Sequence, residues 1–203
     1  FSIDLSEPNA AQQLYDTIKQ QNYVVTGLIN NAGFGDYGNF VELPLKNDED
    51  MIAVNISALV GLTKLFAADM VKIGRGKIMN VASLLSFLPF PYYSVYSATK
   101  SFVLAFTETV SAELQGTGVS LTALCPGTVE TPFHTPEMRK TNAMKANKPM
   151  SAYKVAEAGV DLFLHGKGKK IVGMMNWFLS NLPRFTPDFL MMKIKKNLAS
   201  LQS

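Results

Sequence analysis

The sequence predicts an α/β protein built on a doubly wound parallel sheet with helices on both faces. Three observations carry this. Strand-like and helix-like stretches alternate over roughly residues 1–175. The strand-like runs are of the buried type, as in parallel sheets covered on both sides. Polar and glycine turns follow three of these runs, at Asn30, Asn31 and Gly33, at Ser83, and at Pro126 and Gly127. They would gather on one edge of the sheet, beyond the carboxyl ends of its strands, where ligands bind in this architecture.

Residues 1–4 read as the end of a strand, and SEPNAAQQLYDTIKQQ adds a Ser/Pro/Asn start signal and helical periodicity. YVVTGLINNAG is an apolar, β-branched run that halts at a turn. Residues 47–73 carry acidic side chains in their first turn and Gly74 just past their end, which predicts one long helix. KIMNVAS is the next strand, and the aromatic and proline loop FLPFPYY leads to a helix over residues 94–115, closed by Gly116. VSLTALCPG is a strand stopped by Pro126-Gly127. Residues 128–150 have little periodicity and read as a long loop with short helical turns over a substrate site. Ser151 caps a helix to about His165, and KKIVGMM is the last strand. The tail over 176–203 is apolar and basic, broken by Pro183 and Pro187. The length suits one domain over residues 1–203.

Composition narrows the function. A net charge of +3, without basic runs interleaved with aromatics, argues against nucleic acid. His134 and His165 stand apart without partner cysteines, so no metal site is predicted. The single Cys125 forms no internal disulfide, which points to a reducing, cytoplasmic setting, and it reads as a small core residue. No stretch reads as apolar over the length of a transmembrane helix.

In YSVYSATKSF, Tyr96 and Lys100 are four residues apart and share one helical face. Such a pair is ordinary on an amphipathic helix. Alternatively, the ammonium lowers the phenol's pKa so that it exchanges protons near neutrality. Spacing alone leaves both readings open.

In combination the motifs resemble the short-chain dehydrogenase/reductase family. The matching pieces are Asp4-Leu5, NNAG at 30–33, Asn55, Ser83, Y-x-x-x-K at 96–100 and P-G-x-x-x-T at 126–131. The resemblance implies a Rossmann-like three-layer fold and NAD(P)-dependent hydride transfer between a ketone and a secondary alcohol on a hydrophobic substrate. It implies that Tyr96 is the general acid/base and that Ser83 hydrogen-bonds the substrate oxygen. Lys100 would lower the Tyr96 pKa and bind the nicotinamide ribose, and Asn55 would hold a proton-relaying water. Asn31, Ala32 and Gly33 would approach the adenosine ribose, and Asp4 and the Leu5 backbone the adenine. Pro126, Gly127, Val129 and Thr131 would meet the nicotinamide carboxamide.

Leu85, Ser86, Phe87, Leu88, Tyr93, Phe133 and Met138 are candidates for an apolar substrate cleft, unless they merely pack their loops. Ser86 competes with Ser83, which is favoured by its distance from Tyr96. His134 would touch substrate or sit exposed on its loop. The tail has three readings, in order: a flap over the site, an oligomer contact, or an interfacial membrane helix. A similar tail occurs in a bacterial subgroup of these reductases, which leans toward lipid-like substrates. A homodimer or homotetramer through the helices at 47–73 and 94–115 is expected.

The family's glycine-rich phosphate loop, T-G-x-x-x-G-x-G, is not in the sequence, nor are the strands and helix that carry it. About 50–60 further residues are therefore expected before Phe1, on the size of a βαβ unit. Without them the segment is expected neither to fold stably nor to bind dinucleotide tightly. The residues that choose NAD or NADP belong to that unit, so either cofactor fits. A catalytically silent dinucleotide-fold binding or regulatory protein is the competing reading. The complete Asn55, Ser83, Tyr96 and Lys100 set argues against it.

Overall fold

The computed structural model describes residues 1–201. Its main sheet has four parallel strands: β1 (Gly27–Asn30), β2 (Gly76–Val81), β3 (Val119–Cys125) and β6 (Lys169–Ile171), in the order β1-β2-β3-β6. The predicted doubly wound arrangement is present, with helices α1 (Ala10–Gln20), α2 (Leu45–Lys72), α3 (Ser94–Glu113) and α6 (Ala152–His165) linking the strands. A separate two-residue ladder pairs β4 (Val129–Glu130) with β5 (Met150–Ser151).

Each helix follows from its sequence signals. Leu14, Tyr15 and Ile18 of α1 pack on Phe66 and Met70 of α2. The Tyr15 hydroxyl and the Lys19 ammonium both donate to Asp69, at 2.8 and 2.9 Å, fastening the two helices. Gly74 and Gly116, just past α2 and α3, have φ of +68° and +82°, the left-handed turn that glycine permits. The Ser151 hydroxyl accepts from Lys154 N–H at the start of α6, as an N-cap should.

Four expectations need correction. Residues 1–4 are not a strand, and β1 begins only at Gly27, leaving Tyr23 and Val24 exposed in irregular chain. Among the described residues β1 pairs on one side alone, so the preceding run lacks a partner to extend it. Residues 128–150 form short helices as expected, α4 (Pro136–Arg139) and α5 (Asn142–Ala146), but also carry the β4–β5 ladder, which was not expected. Finally, α2 is long and apolar enough to cross a membrane, contrary to the sequence reading. Here Met51, Leu59, Leu62, Phe66 and Met70 bury one side of it in the protein, as in a core helix.

The tail forms α7 (Met174–Asn181), a 3₁₀ turn (Leu182–Arg184) and α8 (Asp188–Ala199). Leu179, Leu182 and Met191 pack against Leu84, Leu88 and Phe90. The tail is also tied by Tyr37 Oη to Ala199 C=O at 2.7 Å and Asn142 Nδ2 to Asn197 C=O at 2.9 Å.

Under the carboxyl ends of β1 and β2 runs a buried polar seam. Asn30 Nδ2 donates to Thr63 Oγ1 (3.0 Å) and Asn80 Oδ1 (2.9 Å), and Asn80 Nδ2 donates to Thr107 Oγ1 (2.9 Å). Removing one member strands the others without water. Asn80→Ala is expected to lower the urea midpoint by the equivalent of about 1–3 kcal/mol at unchanged m value. An unaltered midpoint would show that the seam does not hold β1 to β2.

Candidate active site

Asn55 lies on a π-helical stretch, Ala53–Ala58, inside α2 and is 1% exposed. Its Oδ1 accepts from Phe34 N–H (3.2 Å), and its Nδ2 donates to Phe34 C=O (2.9 Å) and Thr99 Oγ1 (3.1 Å). This one amide fastens the loop after β1 to both α2 and α3. Such π turns are frequent at functional sites.

Ser83 caps the 3₁₀ turn Leu84–Ser86 that follows β2, and its Oγ accepts from Leu85 N–H at 3.1 Å. Its hydroxyl also lies near enough to the Tyr96 phenol to pull the phenol's pKa down. Ser86 faces elsewhere: its hydroxyl donates to Lys100 C=O (2.7 Å) and accepts from Ser83 N–H (3.3 Å). Ser86 therefore braces Ser83 and α3 and does not line the cavity, contrary to expectation.

Tyr96 and Lys100 share one face of α3, as their spacing predicts. Lys100 is 5% exposed, and its Nζ donates to Val81 C=O at 2.8 Å and lies 5.9 Å from the Tyr96 ring centre. Burial pushes the Lys100 ammonium down to about 8 and the Tyr96 phenol up to about 12, with the Ser83 hydroxyl pulling the phenol back. Lys100 alone thus does not draw the phenol toward neutrality, as expected from the motif. Loss of water outweighs the ammonium, which is bonded to a carbonyl.

Gly33 is needed where it stands. A Cβ there would come within 2.8 Å of Asn55 Oδ1 and 3.4 Å of Lys100 Nζ. A Cβ on Gly35 would meet the Tyr96 ring at 2.8 Å, so the loop lies flat on the ring, and Phe133 packs beside it with ring centres 5.6 Å apart. Sequence reading passed over Gly35, although the paired glycines of GFG signal a close backbone approach.

A cavity of about 760 Å³ opens from these groups. Ser83, Tyr96 and Lys100 lie on its wall with Asn31, Gly33, Pro126, Gly127, Val129 and Thr131. Leu85, Leu88, Tyr93 and Phe133 line it as predicted, and so does His134, half-buried and with its pKa lowered by burial. Met138 does not, being 0% exposed, and Phe87 packs instead with Leu59 and Val103. Ala32 is exposed outside the cavity. Asp4 is exposed too, its carboxylate accepting from Ser6, while Leu5 lines a separate hollow between α1 and α2. Cys125 is 0% exposed, with burial raising its thiol to about 12, as suits a core residue.

Asn176 is a further residue that the sequence did not single out. It is 3% exposed, donates to Val172 C=O (2.7 Å) and accepts from Asn147 Nδ2 (2.8 Å). A Cβ on Gly127 would strike it at 2.4 Å, so Asn176 backs the Pro126-Gly127 turn.

The family model described as short chain dehydrogenase matches residues 1–142. The chain belongs to the short-chain dehydrogenase family. It is 32% identical over 153 residues to 2-dehydro-3-deoxy-D-gluconate 5-dehydrogenase of Bacillus subtilis, covering 71% of this chain and 58% of that protein. It is 30% identical over 193 residues to the very-long-chain 3-oxoacyl-CoA reductase of Macaca fascicularis, covering 92% and 60%. A crystal structure from Beutenbergia cavernae, assigned as an NAD(P)-dependent gluconate 5-dehydrogenase with NADP bound at low occupancy, superposes with a TM-score of 0.73 at 27% identity. That match covers 83% of this chain and 72% of that one. The chain spans 22–60% of the length of the curated relatives it matches.

The short-chain dehydrogenase family uses NAD or NADP, and this chain's residues fit the nicotinamide half of such a dinucleotide. Gly33 brings bare backbone beside Lys100, whose ammonium has three donors and gives one to Val81. The cavity wall includes no carboxylate to take the others, which suits ribose hydroxyls. Nothing in this sequence supplies the glycine-rich grip on the phosphates.

In the dinucleotide-free protein, NMR titration of Lys100 is expected to show a midpoint near pH 8, with Tyr96 still protonated there. The unfolded chain binds more protons than the folded one between about pH 8 and the ordinary lysine value near 10.4, so this group's contribution to stability rises with pH across that window. A Lys100 midpoint at the ordinary lysine value would contradict the burial.

Proposed function

We propose that the protein reduces a ketone on an apolar substrate to a secondary alcohol, with Tyr96 as the proton donor. The observation that carries this reading is the placing of the Ser83 hydroxyl and the Tyr96 phenol together on the wall of an apolar cavity. A reduced dinucleotide, NADH or NADPH, would when bound supply the hydride to the carbonyl carbon and be left oxidised. Ser83 Oγ–H and Tyr96 Oη–H donate to the substrate carbonyl oxygen, where negative charge develops, and Tyr96 passes its proton to that oxygen. Lys100 stabilises the resulting phenolate. A solvent molecule between Lys100 and Asn55 Oδ1, close together beside Gly33, restores the proton.

The Tyr96 phenol enters the step protonated, and the Lys100 ammonium on the same helix face is the charge that steadies its anion. An apolar substrate is supported by Leu85, Leu88 and Phe133 around the cavity, and by the name of the macaque relative, which acts on a long acyl chain. Exposed Phe102 on α3, stacked on the half-buried Phe106 that packs against the core, supports oligomer contact through that helix.

Tyr96→Phe is expected to lower turnover of a hydrophobic ketone by roughly 10²–10⁴-fold while leaving NADPH titration of the protein unaltered. Undiminished turnover in that variant would sink the mechanism. NADPH binding with no turnover by the unmutated protein would favour the catalytically silent reading.

A further inference from the structure

Helix α8 places Met191, Ile194, Lys195 and Leu198 on one stripe, at the i, i+3, i+4, i+7 spacing of a single helical face, and all four line the cavity. A lysine inside an inward-facing apolar stripe is out of place. The other lysines of the helix, Lys193 and Lys196, are exposed and outside the cavity wall. Lys195 is half-buried, and among the described residues no carboxylate stands within ion-pairing distance of it.

A lysine that only snorkels lays its stem on apolar surface and leaves its ammonium in water. Here burial lowers the Lys195 pKa, opposed by Asp188 at the start of the same helix, so the ammonium itself has lost water. The cavity wall also contains no Asp or Glu; its charged groups are Lys100 and Lys195, and His134 is its other titratable base. Lys100 is engaged at the reaction end. Lys195 belongs to the tail that roofs the same cavity.

We propose that Lys195 receives the anionic end, a carboxylate or a phosphate, of an elongated apolar substrate whose carbonyl reaches Ser83 and Tyr96. This rests on the reductase reading above and names its substrate class as an anionic amphiphile. Lys195 then selects among apolar ketones by their far ends and takes no part in proton or hydride transfer.

The test is displacement of the neutral dye Nile red from the purified, dinucleotide-free protein by dodecanoate, dodecyl phosphate and dodecanol at neutral pH. At least one anion is expected to displace the dye about 10-fold more tightly than the alcohol, the scale of one charge-assisted hydrogen bond. The stronger of the two identifies the anion. Lys195→Gln is expected to erase the preference, while Lys195→Arg and the outward-facing control Lys193→Gln keep it. Equal displacement by alcohol and anions, or a preference that survives Lys195→Gln, overturns the assignment while leaving the apolar-substrate reading intact. If none of the three displaces the dye, the apolar-substrate reading falls, and the role of Lys195 with it.

Discussion

The site is arranged around one desolvated cation. The Lys100 ammonium sits almost out of reach of water, held at 2.8 Å by the Val81 carbonyl at the end of β2. A buried charge without a carboxylate is costly, and the cost appears as the depressed pKa of about 8. Several features of the surrounding chain exist in relation to this group. Gly33 is bare so that backbone can pass it, Ser86 anchors the carbonyl of its own residue, and β2 must end where Val81 can face it. Substituting any neighbour changes either the water around the ammonium or its distance from the phenol.

Two amide clusters keep that geometry rigid. Asn55 joins the loop after β1 to α2 and α3 through Phe34 and Thr99, and Thr99 Oγ1 in turn donates to Tyr96 C=O at 2.8 Å. Deeper down, Asn30 and Asn80 cross the sheet and reach Thr63 and Thr107 on the two helices above it. Each cluster is satisfied throughout, which is the condition under which buried polar groups specify one arrangement. The loop thus cannot slide relative to α3, and the flat contact of Gly35 on the Tyr96 ring is preserved.

Legibility in the sequence followed the locality of the signal. The alternation of buried strands with capped helices was readable because Gly74, Gly116 and Ser151 act within a turn of their own positions. Tyr96 and Lys100 were readable because helical spacing places them together. Ser83 could be preferred to Ser86, and the structure separates them by what each hydroxyl bonds. What escaped depends on contacts distant in sequence. Asn176 reaches Gly127 and Asn147 only after the tail has folded back, and no periodicity announces it. The direction of the Tyr96 pKa, which spacing left open, is set in the dinucleotide-free protein by loss of water, and spacing reports only the neighbouring charge. Phe87 and Met138 were assigned to the cleft by hydrophobicity, which cannot distinguish a cavity wall from the core behind it.

The inner face of the tail packs on the body of the protein, the arrangement that the first of its three readings, a flap, requires; the oligomer and membrane readings concern its outer face. The contacts of Leu179, Leu182 and Met191 with Leu84 and Leu88 place them directly over the turn that carries Ser83. Hydrogen bonds at Tyr37, Asn142 and Asn147 fasten this roof alongside its apolar contacts. The roof supplies apolar wall to the cavity, while Lys100 beneath it is held by Val81. Its outer face, with Trp177, Phe178, Phe185 and Phe189 exposed, is then free to serve a separate purpose from the cavity it covers.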